Sequence, residues 1–346
     1  MISMFKIGSS ADAARYHDSA LVEGQEASHH KADNYYANET ALATWQGEGA
    51  KILGIEGQKI DRDDFVAFLD GKIPNPKTGE VQDLASNSKG EDRRLGYDLT
   101  ISAPKSVSIV GLVGGDARVV EAHVSANEAA MKWLEKHGAQ IRVKEDGHNK
   151  TVNTGNLLYA TVQHETSRAN DPQLHNHNVI VGVSYDNENG KFRSLTNDEL
   201  FRLRATADSI YKNELARGLK SIGYEIDFAA GGRDFEIRGV SADQLKAFSE
   251  RTSQINEALE ARGIDPASAS HAARQTAALD SRAAKRDLGK SVLSEMWREK
   301  ALDSGLDIDR VVGQARERAD SGNALVEDTT LAAHSAVGRA IDHLAE

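Results

Sequence analysis

Residues 152–185 read VNTGNLLYATVQHETSRANDPQLHNHNVIVGVSY, and the pattern of this stretch decides the fold. Val152 to Gln163 reads as a strand running into His164, and Leu174 to Tyr185 reads as another. The segment between them, Glu165 to Leu174, is short enough to make the two strands antiparallel neighbours. Successive side chains leave opposite faces of a strand. His175, His177 and Val179 therefore share one face, and Asn176, Asn178 and Ile180 the other. Two adjacent strands thus deliver three imidazoles, His164, His175 and His177, toward one point. That is a workable facial set for a divalent metal with open coordination positions. Spacing alone is equally compatible with ordinary histidines, because such pairs are frequent.

Upstream, Tyr97 to Ala103 alternates as a strand and stops at Pro104, whose ring removes a ladder donor. Asp98 sits early in it. Near three histidines, a carboxylate accepts the second ring N–H of a ligand and fixes its tautomer. Without them, Asp98 is an ordinary strand-edge acid. Ile2 to Ile7 reads as a first strand, followed by a short helix opened by Ser9 or Ser10, with Tyr16 on or just past it. Of eight tyrosines, three lie in the first 36 residues: Tyr16, Tyr35 and Tyr36. Such tyrosines commonly serve packing. As nucleophiles they need help, since a pKa of about 10 leaves only about 0.1% phenolate at neutral pH.

Elsewhere the pattern is mostly helical. Gly47 and Gly49 after Trp45 mark a turn, and Gly71 to Arg94 reads as a loop or exposed ribbon. Val119 to His137 has helical spacing, with Gly138 as its C′ stop. Thr196 to Glu199 has the spacing of a capping box opening a helix to about Ile222, and Ser241 to Gln244 one opening a helix to about Arg262. A hairpin from Tyr224 to Ile237 separates them, and helices from Ser268 to Ala284 and from Lys285 to Asp303 follow. Mixed strands first and helices later indicate an α+β fold rather than regular alternation.

The chain has 346 residues, no cysteine, 12 histidines and a formal charge of −11. Disulfides, thiolate metal sites and cysteine nucleophiles are excluded. No run of 18 apolar residues suggests membrane insertion, and the expected location is cytoplasmic. An acidic chain argues against a nucleic-acid partner only if the charge is uniform. It is not: residues 301–346 hold nine acids and four bases, a net −5.

Three stretches match one family: Trp45-Gln46-Gly47-Glu48-Gly49-Ala50, the run from Asp98 to Ser108, and His164-Glu165-Thr166-Ser167-Arg168 followed by Asp171-Pro172-Gln173-Leu174-His175-Asn176-His177. Over roughly residues 1–300 the sequence resembles the relaxases of conjugative plasmids, the TrwC/TraI-like (MobF) group of the HUH endonucleases. The resemblance implies a central antiparallel, palm-like sheet flanked by helices, with a C-terminal helical lid over a DNA cleft. It implies that a tyrosine hydroxyl attacks one phosphodiester of single-stranded or hairpin origin-of-transfer DNA, leaving a 5′-phosphotyrosine and a free 3′-OH, and later rejoins the strand. By position Tyr16 matches the first catalytic tyrosine, Tyr35 and Tyr36 the second pair, His164, His175 and His177 the metal triad, and Asp98 the supporting acid. The implied cofactor is a divalent metal, Mg or Mn before Zn. Relaxosome accessory proteins and a type IV secretion coupling protein are implied partners, and transport with the DNA into the recipient cell is implied as well.

The family often carries a tyrosine pair where this chain has Tyr16-His17. A single nucleophile is therefore expected, with His17 as proton acceptor or DNA contact. Asp98 either orients a histidine or accepts the tyrosine proton. For DNA contact the basic residues Arg168, Lys105, Lys89, Arg93 and Arg94 stand out, with Lys72, Lys77, Arg274, Arg282, Lys285, Arg286 and Lys290 as further candidates; interleaved acids are equally consistent with solvated faces. Residues 1–300 are expected to form the relaxase domain and 301–346 an acidic helical linker or the start of a following domain. No Walker A loop is present, since Ala284 stands where its first glycine belongs before Gly289-Lys290-Ser291. Rival readings are a rolling-circle replication initiator, a three-His metal enzyme acting on a small molecule, and a catalytically silent origin-binding protein.

Overall fold

The computed structural model describes residues 2–17, 43–84, 95–229, 231–281 and 288–321. In chain order the first elements are β1 (Ile2–Lys6), α1 (Ser10–Tyr16), β2 (Thr44–Gln46), α2 (Glu48–Leu53), α3 (Arg62–Leu69), β3 (Lys72–Pro74), β4 (Val81–Asp83) and β5 (Gly96–Ser102). Next come α4 (Lys105–Ser108), continued by a π-helical turn Ile109–Val113, then α5 (Ala117–Gly138), β6 (Gln140–Glu145), β7 (His148–Asn153), β8 (Tyr159–Thr166) and β9 (Pro172–Val181). The remainder is β10 (Val183–Asp186), β11 (Lys191–Thr196), α6 (Asp198–Ser221), β12 (Ile226–Phe228), β13 (Phe235–Ile237), α7 (Ala242–Ala247), α8 (Glu250–Glu260), α9 (His271–Asp280), α10 (Lys290–Asp303) and α11 (Ile308–Asp320). This is an α+β fold whose central sheet is antiparallel throughout, in the order β1-β5-β9-β8-β2.

The sheet separates two apolar cores. On one face Met4, Leu99, Ile101 and Ile180 pack with Ala126, Met131 and Leu215 of α5 and α6. On the other, Ala160, Val162, Val179 and Val181 pack with Trp45, Phe65 and Phe68. The second core covers only part of its face. Beyond that core the same face carries the histidines.

The two glycines of the Trp45 motif have a packing reason. Gly47 has φ +92°, and a Cβ there would lie 2.4 Å from the Leu157 carbonyl; a Cβ on Gly49 would lie 2.7 Å from the same oxygen. The Glu135 carboxylate of α5 then accepts the N–H groups of Glu48 and Leu157 at 2.8 and 2.7 Å, locking α2 to the start of β8.

Several boundaries differ from the sequence reading. Val152 to Gln163 is not one strand: the Asn156 side chain bonds both main-chain groups of Tyr185, at 2.7 and 2.9 Å, and diverts the chain from β7 to β8. Leu174 to Tyr185 divides at Gly182, and β10 joins a second sheet, β10-β11-β6-β7. Thr196 forms no capping box because it ends β11, paired with Gln140; Asn197 takes the N-cap position of α6 with no side-chain bond to the helix's N-terminal N–H groups. Ser241 does form its box with Gln244, but that helix breaks between Ala247 and Glu250. Gly138 is not left-handed. A Cβ there would lie 2.8 Å from Leu200, so the glycine permits close approach of α6.

Residues beyond 300 also contribute to the packing. Ala301, Leu306, Ile308, Val311, Val312 and Ala315 are buried in the same core as Val110 and Val113. Through Ala315 the chain packs against that core, and residues 322–346 lie outside the described ones.

Candidate active site

The register of β8 against β9 sets His164 opposite His175 and Val162 opposite His177, all on one face. The three side chains are buried, and one ring nitrogen from each lies within 4.8 Å of the others. Local hydrogen bonds fix two of the rings. His175 Nδ1 lies 2.8 Å from the Gln173 carbonyl, and His177 Nδ1 lies 2.9 and 2.8 Å from the two Asp98 oxygens. A carbonyl and a carboxylate only accept, so both rings donate from Nδ1, the tautomer that in a neutral imidazole leaves the lone pair on Nε2. His177 Nε2 is buried without a hydrogen-bond partner. Three imidazoles converging with such an unsatisfied nitrogen fit a divalent cation.

Asp98 reaches this position because β5 pairs with β9, Thr100 opposite His177 and Asp98 opposite Val179. The Thr100 hydroxyl adds a 3.3 Å bond to Asp98 and lies 3.2 Å from His177 Nδ1. Burial works to raise the Asp98 carboxyl, but the His177 and His17 rings and the bonds from His177 and Thr100 outweigh it and hold the carboxyl below the usual range. Thr100 was not singled out from sequence. Its place two residues after Asp98 in an alternating strand was the available signal.

Tyr16 arrives from α1. Ser9 caps that helix by accepting from the Asp12 N–H at 3.2 Å, and Ser10 donates to Asp70 at 2.9 Å, docking α1 onto the end of α3. The half-buried Tyr16 ring then lies edge-on to His177, centroids 5.3 Å apart, and 6.2 Å from His164. His17 turns inward, 5.3 Å from His177 and 5.8 Å from His164, with 2% of its surface exposed and no face for a nucleic acid. Burial, then the neighbouring His177 ring, pushes its imidazole down to about 3; burial and His177 do the same to His175, also to about 3.

The other sequence candidates fall in different places. Tyr35, Tyr36, Lys89, Arg93, Arg94, Arg282, Lys285 and Arg286 lie outside the described residues. Arg168 is on the turn between β8 and β9 and makes no ion pair among the described residues. Lys105 donates to the Pro172 carbonyl at 3.1 Å. Lys290 pairs with Glu165 at 3.1 Å, beside His164. Lys72 and Lys77 are exposed on and after β3.

Among the described residues, no helix is long and apolar enough to cross a membrane. The TrwC relaxase family model matches residues 10–304. The multifunctional conjugation protein TraI of Escherichia coli is 36% identical over 298 residues, covering 83% of this chain, and TraI of strain K12 is 36% identical over 299. The chain spans 16% of the length of these relatives. Among solved structures, conjugative relaxase TrwC in complex with oriT DNA, copper-bound, superposes with a TM-score of 0.77 at 35% identity, covering 89% of this chain and all of that one. TrwC complexed with a 27-mer DNA comprising the recognition hairpin and the cleavage site gives 0.76 at 33% over the same shares. With the three histidines, Asp98 and Tyr16 gathered on one face of this sheet, the chain belongs to the TrwC relaxase family.

Proposed function

We propose that this protein is a conjugative DNA relaxase: it nicks single-stranded origin-of-transfer DNA at one site by tyrosine transesterification and later rejoins the strand. The observation that carries this reading is the approach of the Tyr16 ring to His177 and His164, above three converging imidazoles. Tyr16 is the first nucleophile. Its hydroxyl attacks the scissile phosphorus, the bond to the 3′ oxygen breaks, and the 5′ phosphate stays on the tyrosine. His164, His175 and His177 would hold the cation, with Mg or Mn the proposed metal. When bound, it supplies positive charge to the non-bridging phosphate oxygens as the in-line transition state develops.

Asp98 acts by orienting His177, since both its oxygens are engaged there. Arg168, with a guanidinium free of ion pairs among the described residues, offers a forked contact to a phosphate. Tyr35 or Tyr36 serves the later strand-transfer step. The helices after the sheet form a lid over the DNA, and the relaxase domain extends at least through α11. In the cell, the proposed partners are the hairpin of the transfer origin, accessory proteins of the relaxosome and a type IV coupling protein, with transport of the protein–DNA conjugate into the recipient.

Incubating the chain with single-stranded oligonucleotides spanning the plasmid's transfer origin, with Mn²⁺ or with chelator, tests the reading. Cation-dependent cleavage at one phosphodiester, leaving a free 3′-OH, is expected. Cleavage that persists in chelator, or binding without cleavage, would overturn it.

A further inference from the structure

Between His164 and His175 the chain makes a turn held by helices 79 to 129 residues further along. Its centre is Asp171, only 2% exposed. One carboxylate oxygen accepts from Lys300 of α10 at 2.9 Å, and the other accepts the Glu250 N–H at the start of α8 at 2.8 Å. The preceding residue, Asn170, has φ +62°, a conformation that residues with a Cβ rarely adopt. Its carbonyl accepts the indole N–H of Trp297, also of α10, at 2.7 Å. Lys105, just past the strand that carries Asp98, donates to the Pro172 carbonyl. Lys290 at the start of α10 pairs with Glu165, the neighbour of His164.

A buried carboxylate is costly unless paired, and here both external partners come from α8 and α10. Within the turn, Asp171 bonds only through its main chain, to Ser167. The turn begins where the pairing shifts register, between His164 and Thr166, immediately beyond the His164–His175 pair that closes the regular ladder. We infer that Asp171 is a positioning residue through which docking of α8 and α10 sets the metal-binding geometry of His164 and His175. This rests on the metal centre proposed above and adds its regulation. Such coupling is reciprocal: helix docking tightens metal binding, and metal tightens helix docking by the same factor.

The test titrates the full chain with Co²⁺, read by its visible absorption bands, and measures hydrogen exchange of α10 with and without Co²⁺. Asp171→Asn and Lys300→Met should each weaken Co²⁺ binding by roughly 5- to 20-fold, within the range of ordinary site-to-site coupling. The double variant should be no weaker than the worse single one, because both break the same link. Tyr224→Phe, which removes a buried 2.7 Å bond to Asp116 elsewhere in the core, should lower stability and leave Co²⁺ affinity unchanged. Co²⁺ should slow α10 exchange in the parent and not in Asp171→Asn. Should Asp171→Asn fail to fold, Lys300→Met and Trp297→Phe carry the same comparison. Parental Co²⁺ affinity in the folded variants, or α10 exchange indifferent to Co²⁺, would overturn the inference while leaving the metal centre standing. A parent chain that binds no Co²⁺ would overturn both.

Discussion

Asp98 and His177 meet across neighbouring strands, with both carboxylate oxygens within 2.9 Å of one ring nitrogen. This bond fixes which nitrogen faces the other two imidazoles. Replacing Asp98 with Asn should weaken metal binding and nicking about 10- to 100-fold, as expected for loss of a partner behind a ligand. Calorimetric titration with Mn²⁺ beside a nicking assay checks this; a large loss of nicking at parental metal affinity would move Asp98 from orienting to proton transfer.

The triad itself is more sensitive. His175→Ala removes a donor whose tautomer is already set by Gln173. Metal affinity should fall by more than about 100-fold, since two imidazoles remain where the site needs three. Equilibrium dialysis against Mn²⁺ measures it, and unchanged affinity would remove His175 from the site.

Much of this geometry is legible in sequence because it obeys strand periodicity. His175 and His177 share a face by their spacing, and the short connection after His164 leaves antiparallel pairing as the simplest solution. Ser9 and Ser241 announce their helices through cap chemistry. The second sheet is less legible: β6 and β7 are polar, largely exposed strands, with Ile141 the buried residue between them. Thr196 mimics a capping box while its backbone pairs with Gln140, so tertiary pairing overrides a local motif. The acidic charge of residues 301–320 concealed an amphipathic helix whose apolar side closes the core. Asp171 and Lys300 lie 129 positions apart, and no local pattern links them.

Gly47 is the most restrictive position of the Trp45 motif. Gly47→Ala places a Cβ against the Leu157 carbonyl at φ +92°, and a cost of about 2–3 kcal/mol is expected from backbone strain and the clash. Urea unfolding should show the loss as a lower midpoint at unchanged slope.

Glu135 makes stability depend on pH. Burial raises its carboxyl to about 7, against opposing bonds from the Leu157 and Glu48 N–H groups. Its folded value lies above its unfolded one. The contribution is therefore complete below about pH 4.5 and is lost as pH rises through about 7. Glu135→Gln keeps an acceptor but does not ionise. Its stability relative to the parent should rise by up to about 3 kcal/mol between pH 4.5 and 7.5, by the linkage of pKa to stability. Paired thermal melts across that range check the sign, and a constant difference would contradict it.

The central claim is that Tyr16, seated over the imidazoles, makes the first covalent bond to DNA. The chain is incubated with Mn²⁺ and an origin-derived single strand, digested, and the peptide–DNA adduct is mapped by mass spectrometry. A 5′-phosphate is expected on the peptide containing Tyr16, absent in Tyr16→Phe. An adduct that forms at full rate in Tyr16→Phe, or maps first to Tyr35 or Tyr36, would contradict it.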